Sequence, residues 1–449
     1  MTSSISKFVR SEKREGYYDR LVTDLTGLND RLNAFSVIDG NMKVGFPLSV
    51  KDNLCVKGFE CTASSKILRG YIPPFSATVV ERALNAGFSF LGKTRMDEFG
   101  FGTFGINNDK PVRNPFDERR VAGGSSAGSA VATSIMKYHV SLAESTGGSI
   151  SAPAAFCGVV GFTPTYGLLS RYGLIDYANS LDKVGVMGRS SQDVRYLFDK
   201  VKGYDRRDST SVDSALKSRE TKNLMIVEEL LDKVEDRVKT RFLGFLDRLK
   251  GNGYSVESVS AKDLEHSIAA YYIISMAEAS TNLAKYCGFK YGLKVDDFTK
   301  GYNDFFSEAR ASFGAEAKRR ILLGTFVRGK SVRSRYYSRA TKIRRAVINR
   351  LKALTKKGLL ISPTMPVLTP TFEEVEKLTP VQNYAMDILT VPPNLAGMPH
   401  VSFPYDYLNG LPLGAQAVSD HFDDYTLLDF VSEWEKGFRY EFKYNLGDL

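Results

Sequence analysis

The chain has 449 residues, with 61 Lys and Arg against 51 Asp and Glu and only four each of Cys and His. Hydrophobic residues at 43% and charged residues at 25% are globular values, so wholesale disorder is excluded and a large core can be buried. No apolar run approaches the roughly 18–20 residues of a membrane span, and the start Met1-Thr-Ser-Ser-Ile-Ser-Lys7 lacks an apolar leader, so a cytoplasmic location is expected.

Residues 1–35 read as a short helical arm, because Tyr17, Leu21, Leu25 and Leu28 recur at near-helical spacing. From Val44 onward short apolar runs alternate with Gly, Pro, Ser and Asn. Ser76 is placed to cap a helix carrying Val79, Val80, Ala83 and Leu84, which Gly87 stops; Phe88 to Leu91 follows as a buried strand. The same alternation returns at Leu224–Val227 (strand), Glu235–Lys250 (helix) and Tyr254–Val259 (strand). Strands alternating with helices predict an α/β fold whose sheet is covered on both faces. Without a repeat or a low-complexity linker, residues 36–440 are expected to form one large domain. Between Lys318 and Lys357 there are fifteen Lys or Arg and no acid. Such a run reads first as a solvated face and second as a surface for a polyanion.

Cys55, Cys61, Cys157 and Cys287 show no C-x-x-C spacing, and the four histidines form no H-E-x-x-H. Any hydrolytic chemistry is therefore expected to run without a metal. The most informative stretch is Ala122-Gly-Gly-Ser-Ser-Ala-Gly-Ser-Ala130, followed by Glu144-Ser-Thr-Gly-Gly-Ser-Ile-Ser151. Each half looks like a Gly/Ser loop opening a helix, and the second follows the apolar run Val140–Ala143. Such a turn collects backbone N–H groups into one small space, fit for a phosphate or an oxyanion. Neither loop has the lysine of a P-loop, which favours an oxyanion.

Gly124-Ser-Ser126-Ala-Gly128 also satisfies G-x-S-x-G, but that elbow needs a histidine partner and an HGGG loop, and no HGGG occurs. Ser134-Ile-Met-Lys137 matches S-x-x-K by chance, since its companion motifs are missing. With histidine scarce, a lysine has to serve as base for a serine nucleophile. Lys51 ends the apolar run Phe46-Pro-Leu-Ser-Val-Lys51, as a buried lysine at a strand terminus would.

The two Gly/Ser loops resemble the signature of the amidase signature family, G-G-S-S-G-G-S followed about twenty residues later by D-T-G-G-S-I-R. The resemblance implies a Lys–Ser–Ser triad whose middle serine sits on a cis peptide bond: Lys51 as base, Ser125 as bridge and Ser149 as nucleophile. It implies an oxyanion hole on the backbone N–H groups of Thr146, Gly147, Gly148 and Ser149. It also implies a mixed, twisted sheet covered by helices on both faces. Within the family, phrases such as Gly92-Lys-Thr-Arg-Met-Asp-Glu-Phe99, Ser180-Leu-Asp-Lys183 and Val391-Pro-Pro-Asn-Leu-Ala-Gly-Met-Pro399 resemble the glutaminase subunits of tRNA-dependent amidotransferases.

That branch implies Arg320 on the carboxylate of a glutamine substrate and Asp387 on its ammonium, with Tyr271, or its neighbour Tyr272, lining the pocket. It implies no cofactor in this chain. ATP and Mg²⁺ would belong to a larger kinase/transamidase B subunit, which also holds the tRNA, and a small C subunit would complete the assembly. A free-standing amidase acting on small amides is the alternative, and a silent RNA-binding scaffold using the basic run is a third. The chain departs from the pattern at Ser145 and Ser151, which replace the signature's Asp and Arg, and at Ala127, which replaces a glycine. Glu144 is an unusual neighbour for such a loop.

Overall fold

Eleven strands form one mixed sheet in a computed structural model that describes residues 4–10, 16–295, 299 and 301–448. In chain order they are β1 Phe35–Ile38, β2 Phe46–Lys51, β3 Phe88–Thr94, β4 Val140–Ser145, β5 Val160–Thr163 and β6 Lys183–Gly188. The others are β7 Asn223–Val227, β8 Ser255–Val259, β9 Leu359–Pro363, β10 His400–Leu408 and β11 Leu411–Val418. Across the sheet the order is β1-β3-β2-β4-β6-β5-β10-β11-β9-β7-β8. β2 runs parallel to β3 and β4, and β7 runs parallel to β8 and β9. All other neighbours are antiparallel.

Every residue of β2, β4, β6 and β11 is buried, which a strand achieves only when both sheet faces are covered. The helices Ala127–Ile135, Ser151–Phe156, Ser191–Val201 and Asp424–Glu435 supply part of that cover. This is the single α/β unit the alternating pattern predicts. Among the described residues no helix is long and apolar enough to cross a membrane.

The strands predicted at Val140, Leu224 and Tyr254 and the helix predicted at Glu235 lie within a residue or two of β4, β7, β8 and the helix Asp236–Gly251. The cap assignment for Ser76 is corrected. The helix begins at Thr78, with Ala77 at its boundary and no side-chain cap. Ser76 Oγ instead accepts a hydrogen bond from the Lys57 N–H at 3.0 Å, tying two loops together. The N-terminal segment supplies the helices Ser4–Arg10 and Tyr17–Leu32, and Tyr17, Leu21, Leu25 and Leu28 join the same core as the sheet.

The basic run spans the helices Ala315–Arg328 and Tyr337–Thr355 and the turns between and after them. Arg335, Arg339, Lys342 and Arg345 are not fully buried, whereas Arg320 is only 3% exposed and points inward. Composition alone could not separate that one cation from its neighbours.

The parallel pair β2–β4 sets the position of the site. Ser49 lies beside Ser141 and Val50 beside Leu142, so Lys51 emerges next to the end of β4. The carboxyl ends of adjacent parallel strands are where the chain turns away from the sheet and leaves a crevice. Lys51 and the Glu144–Ser149 turn therefore meet at one edge.

Candidate active site

Lys51 is the last residue of β2 and its side chain is fully buried. Its Nζ lies 2.8 Å from Ser125 Oγ, 2.8 Å from the Glu144 carbonyl oxygen and 2.9 Å from Glu144 Oε2. Burial disfavours the ammonium and pulls Lys51 below the usual lysine range, while Glu144, Asp97 and Asp182 pull the other way. The net direction is down.

Ser125 follows a cis Gly124–Ser125 peptide bond, a non-proline cis bond. Gly124 is required here by close approach: a Cβ would fall 2.0 Å from Asp97 Oδ2. Asp97 receives the N–H groups of Gly105 and Asn107 at 3.0 and 2.7 Å, and the Asp97 N–H donates to the Ser125 carbonyl at 3.2 Å. Burial raises this carboxyl to about 6. The Asp97 of the Gly92–Phe99 phrase thus works as a clamp on the serine loop.

Ser149 lies in the turn between β4 and the helix Ser151–Phe156. At 6% exposure it is more open than Lys51 or Ser125, both at 0%. Its carbonyl accepts the Ser126 N–H at 3.1 Å, which joins the two Gly/Ser loops. In the turn, the Gly147 carbonyl is held by Asn394 Nδ2 at 2.8 Å and the Gly148 carbonyl by the Ala152 N–H at 2.8 Å. Fixing a carbonyl fixes its trans peptide plane, and so aims the following N–H the opposite way. The N–H groups of Gly148 and Ser149 are oriented in this manner. A side chain on Gly147 would meet the Tyr271 hydroxyl at 2.4 Å, and one on Gly148 would meet Thr390 Oγ1 at 2.3 Å. Both glycines are demanded by packing.

The residues assigned to substrate binding gather around four rings. The Arg320 guanidinium sits 5.0 Å from Phe101, 5.3 Å from Tyr272, and 5.6 Å from both Tyr177 and Tyr384. Its Nε donates to Glu316 Oε1 at 2.8 Å and its Nη1 to the Tyr177 hydroxyl. Asp387 Oδ2 accepts from the Tyr272 hydroxyl at 2.6 Å and from Thr103 Oγ1 at 3.1 Å, and burial lifts this acid to about 6. Tyr271 and Tyr272 are in edge contact, with centroids 4.9 Å apart. Tyr272 therefore reaches the Arg320–Asp387 pair while Tyr271 reaches the Gly147 turn, and the two tyrosines join these regions. Glu316 also lines a cavity of about 570 Å³ together with Glu98, Asn107 and Phe313.

The rival motifs come apart in the structure. Ser126 Oγ donates to the Glu144 carbonyl at 3.0 Å, inside the protein. His139 is buried beside Thr133 and held neutral, lowered to about 3 chiefly by burial. His400 bonds Met398 and Asn394, and His421 the Ala396 carbonyl. Lys137 of the S-x-x-K match pairs with Asp448 at the surface.

Several residues escaped sequence reasoning. Tyr177 and Asn394 carry no local signal, because their contacts lie far along the chain, whereas Glu316 stands four residues before Arg320 on the same helix, a spacing that was there to be read. Glu144 did give a signal, an acid beside a glycine turn at the end of an apolar run, yet nothing in the sequence said which group it faces. Ser145 and Ser151 do not form a surrogate pair. Ser145 Oγ donates weakly to Asn394 Oδ1 at 3.4 Å, and among the described residues Ser151 Oγ has no hydrogen-bond partner.

Comparison with known proteins places the chain in a family. The amidase family profile matches residues 38–428. The A subunit of the glutamyl-tRNA(Gln) amidotransferase of Methanosarcina mazei is 41% identical over 411 residues, covering 89% of this chain and 86% of the relative. Its counterpart of the same name from Symbiobacterium thermophilum is 40% identical over 452 residues, covering 97% and 92%. The crystal structure of the glutamyl-tRNA(Gln) amidotransferase A subunit from Thermotoga maritima superimposes with a TM-score of 0.84 at 32% identity, covering 100% of this chain and 98% of that one. The chain belongs to the amidase family.

Proposed function

We propose that this chain is the glutaminase subunit of a glutamyl-tRNA amidotransferase, hydrolysing the side-chain amide of glutamine and passing ammonia to a partner. The observation that carries the reading is the Arg320–Asp387 pair, joined through Tyr272 and Tyr271 to the Gly147 turn. Free glutamine has an α-carboxylate and an α-ammonium, and a simple amide has neither. Guanidinium pairs with carboxylate in a planar fork, and an ionised aspartate suits an ammonium. The amidotransferase relatives from Methanosarcina mazei and Symbiobacterium thermophilum support the same reading.

In this scheme Ser149 attacks the amide carbon and a C–O bond forms. The Ser149 proton passes to Ser125 as the Ser125 proton passes to neutral Lys51. N–H groups of Thr146, Gly147, Gly148 and Ser149 receive the oxyanion, and losing one such donor typically costs about 3–4 kcal/mol. Collapse breaks the C–N bond, ammonia leaves with the proton returned from Lys51, and water then frees the serine. The partners are a kinase/transamidase B subunit, which uses ATP and Mg²⁺ and holds the tRNA, and a small C subunit. The assembly would work in the cytoplasm.

Three substitutions test the site. Arg320→Ala should lower kcat/KM for glutamine roughly 30- to 1000-fold, the equivalent of about 2–4 kcal/mol for a buried charged contact. Turnover of a small neutral amide should change little. Parallel loss on both substrates would make Arg320 structural and put the free-standing amidase ahead. Ser125→Ala should lower kcat at least about 100-fold, since it interrupts the proton path. Ser126→Ala should cost much less, and the opposite order in steady-state rates would revive the G-x-S-x-G elbow.

A further inference from the structure

We propose that Glu144 is the positioning residue of Lys51, a fourth member of the proton relay that aims the lysine lone pair at Ser125 and balances the ammonium formed during attack. The inference rests on the Lys–Ser–Ser reading above and adds a group that the family signature does not contain.

The first support is stereochemical. Lys51 Nζ has three neighbours, Ser125 Oγ, the Glu144 carbonyl and Glu144 Oε2, all at 2.8–2.9 Å. A neutral amine has two N–H bonds and one lone pair. The two oxygens of Glu144 accept both N–H bonds, which leaves the lone pair facing Ser125. One residue, through its backbone and its side chain, thus fixes the rotation of the base. After proton transfer the third N–H points back at Ser125, and the carboxylate already in place offsets the new charge. An acid orienting a base in this way follows the logic of hydrolytic triads with histidine.

The second support is the set of contacts around the Glu144 carboxyl. It is 1% exposed, and its Oε2 also accepts from Asn53 Nδ2 at 3.1 Å. Thr146 Oγ1 lies 2.8 Å from Glu144 Oε1 and 2.9 Å from Asp182 Oδ1. A hydroxyl has a single proton, so two carboxylates cannot both be satisfied by Thr146. Burial and the adjacent Glu144 push Asp182 well above the usual carboxylate range, against the Tyr177 and Ala178 N–H groups that it accepts. The chain of contacts runs from Asp182 to Thr146 to Glu144 to Lys51. The charged groups facing Lys51 are Glu144 from β4, Asp97 from the loop after β3 and Asp182 from the turn before β6. The buried pair Lys93–Asp52, 3.7 Å apart, lies on the β2–β3 side.

The test is the pH profile of glutamine hydrolysis by the assembled complex. The acidic limb of kcat/KM follows the deprotonation of Lys51, and an opposing charge within about 4–6 Å commonly moves such a group by about 1–3 pH units. Removing that charge lowers the affinity of Lys51 for its proton. Glu144→Gln should therefore move the acidic limb to lower pH by about one unit or more, while the plateau falls about tenfold or more. Glu144→Asp keeps the charge on a shorter stem, so its limb should stay near that of the wild type as the plateau drops. A limb that stays put in Glu144→Gln while the rate falls would make Glu144 a packing residue, and an unchanged limb and plateau would remove its role altogether. Should Glu144→Gln not assemble, Glu144→Asp decides alone: a wild-type plateau, or a limb shifted downward, overturns the proposal. Failure of the glutaminase reading shows differently, as a wild-type complex whose glutamine hydrolysis does not depend on Ser149.

Discussion

Ser149→Ala is expected to abolish glutamine-dependent amidation by the reconstituted complex, by a factor on the order of 10⁴ or more, while amidation driven by free ammonia stays intact. The first half follows from chemistry. Ser149 alone would carry the acyl group, and alanine has no atom that can form the C–O bond. The second half follows from the proposed division of labour, because ammonia supplied in solution would bypass this chain and need only the partner. The substitution is also mild for the fold. Ser149 holds the two loops together through its carbonyl, which accepts the Ser126 N–H, and alanine keeps that carbonyl. Failure of ammonia to rescue the variant would show that the reaction is not divided between subunits in this way.

The fold was legible wherever a local pattern had a local cause. β4 and β7 are apolar runs because both sheet faces are covered, and the helix Asp236–Gly251 shows one apolar stripe in Val238, Phe242, Phe245 and Leu249. The cap at Ser76 misled because a serine hydroxyl binds any nearby N–H, and the loop of Lys57 offered one across the turn. At the site, the spacing of 74 residues from Lys51 to Ser125 and 24 from Ser125 to Ser149 follows the family pattern, and the structure sets Lys51 Nζ 2.8 Å from Ser125 Oγ. What the sequence did not display are the contacts that tune those groups. Asn394 on the Gly147 carbonyl spans 247 positions, and Tyr177 on Arg320 spans 143. Tyr271 and Tyr272 reach different regions of the site. Adjacent residues on a helix point about 100° apart, so one ring reaches the turn and the other the charged pair.

Lys51 should be as sensitive as Ser149, and in a way that identifies the base. Lys51→Met keeps the length of the side chain and its apolar stem but offers no basic nitrogen. It is expected to lower glutamine hydrolysis by at least about 10³-fold, and the double variant with Ser149→Ala should be scarcely worse, since both groups serve one proton path. Lys51→Arg is the sharper test. Arginine retains the positive charge that Glu144, Asp97 and Asp182 face, so a lysine needed only as a counter-charge would be replaced without great loss. A lysine needed as a base would not, because guanidinium stays protonated throughout the working range. The structure favours the base: the side chain is fully buried, burial shifts it downward, and its nitrogen stands 2.8 Å from Ser125 Oγ. The measurement is kcat for glutamine hydrolysis in the complex, with ammonia-driven amidation as the check on assembly. An arginine variant within tenfold of the wild type would refute the base assignment, and the two-carboxylate network around Thr146 would then be holding a structural cation.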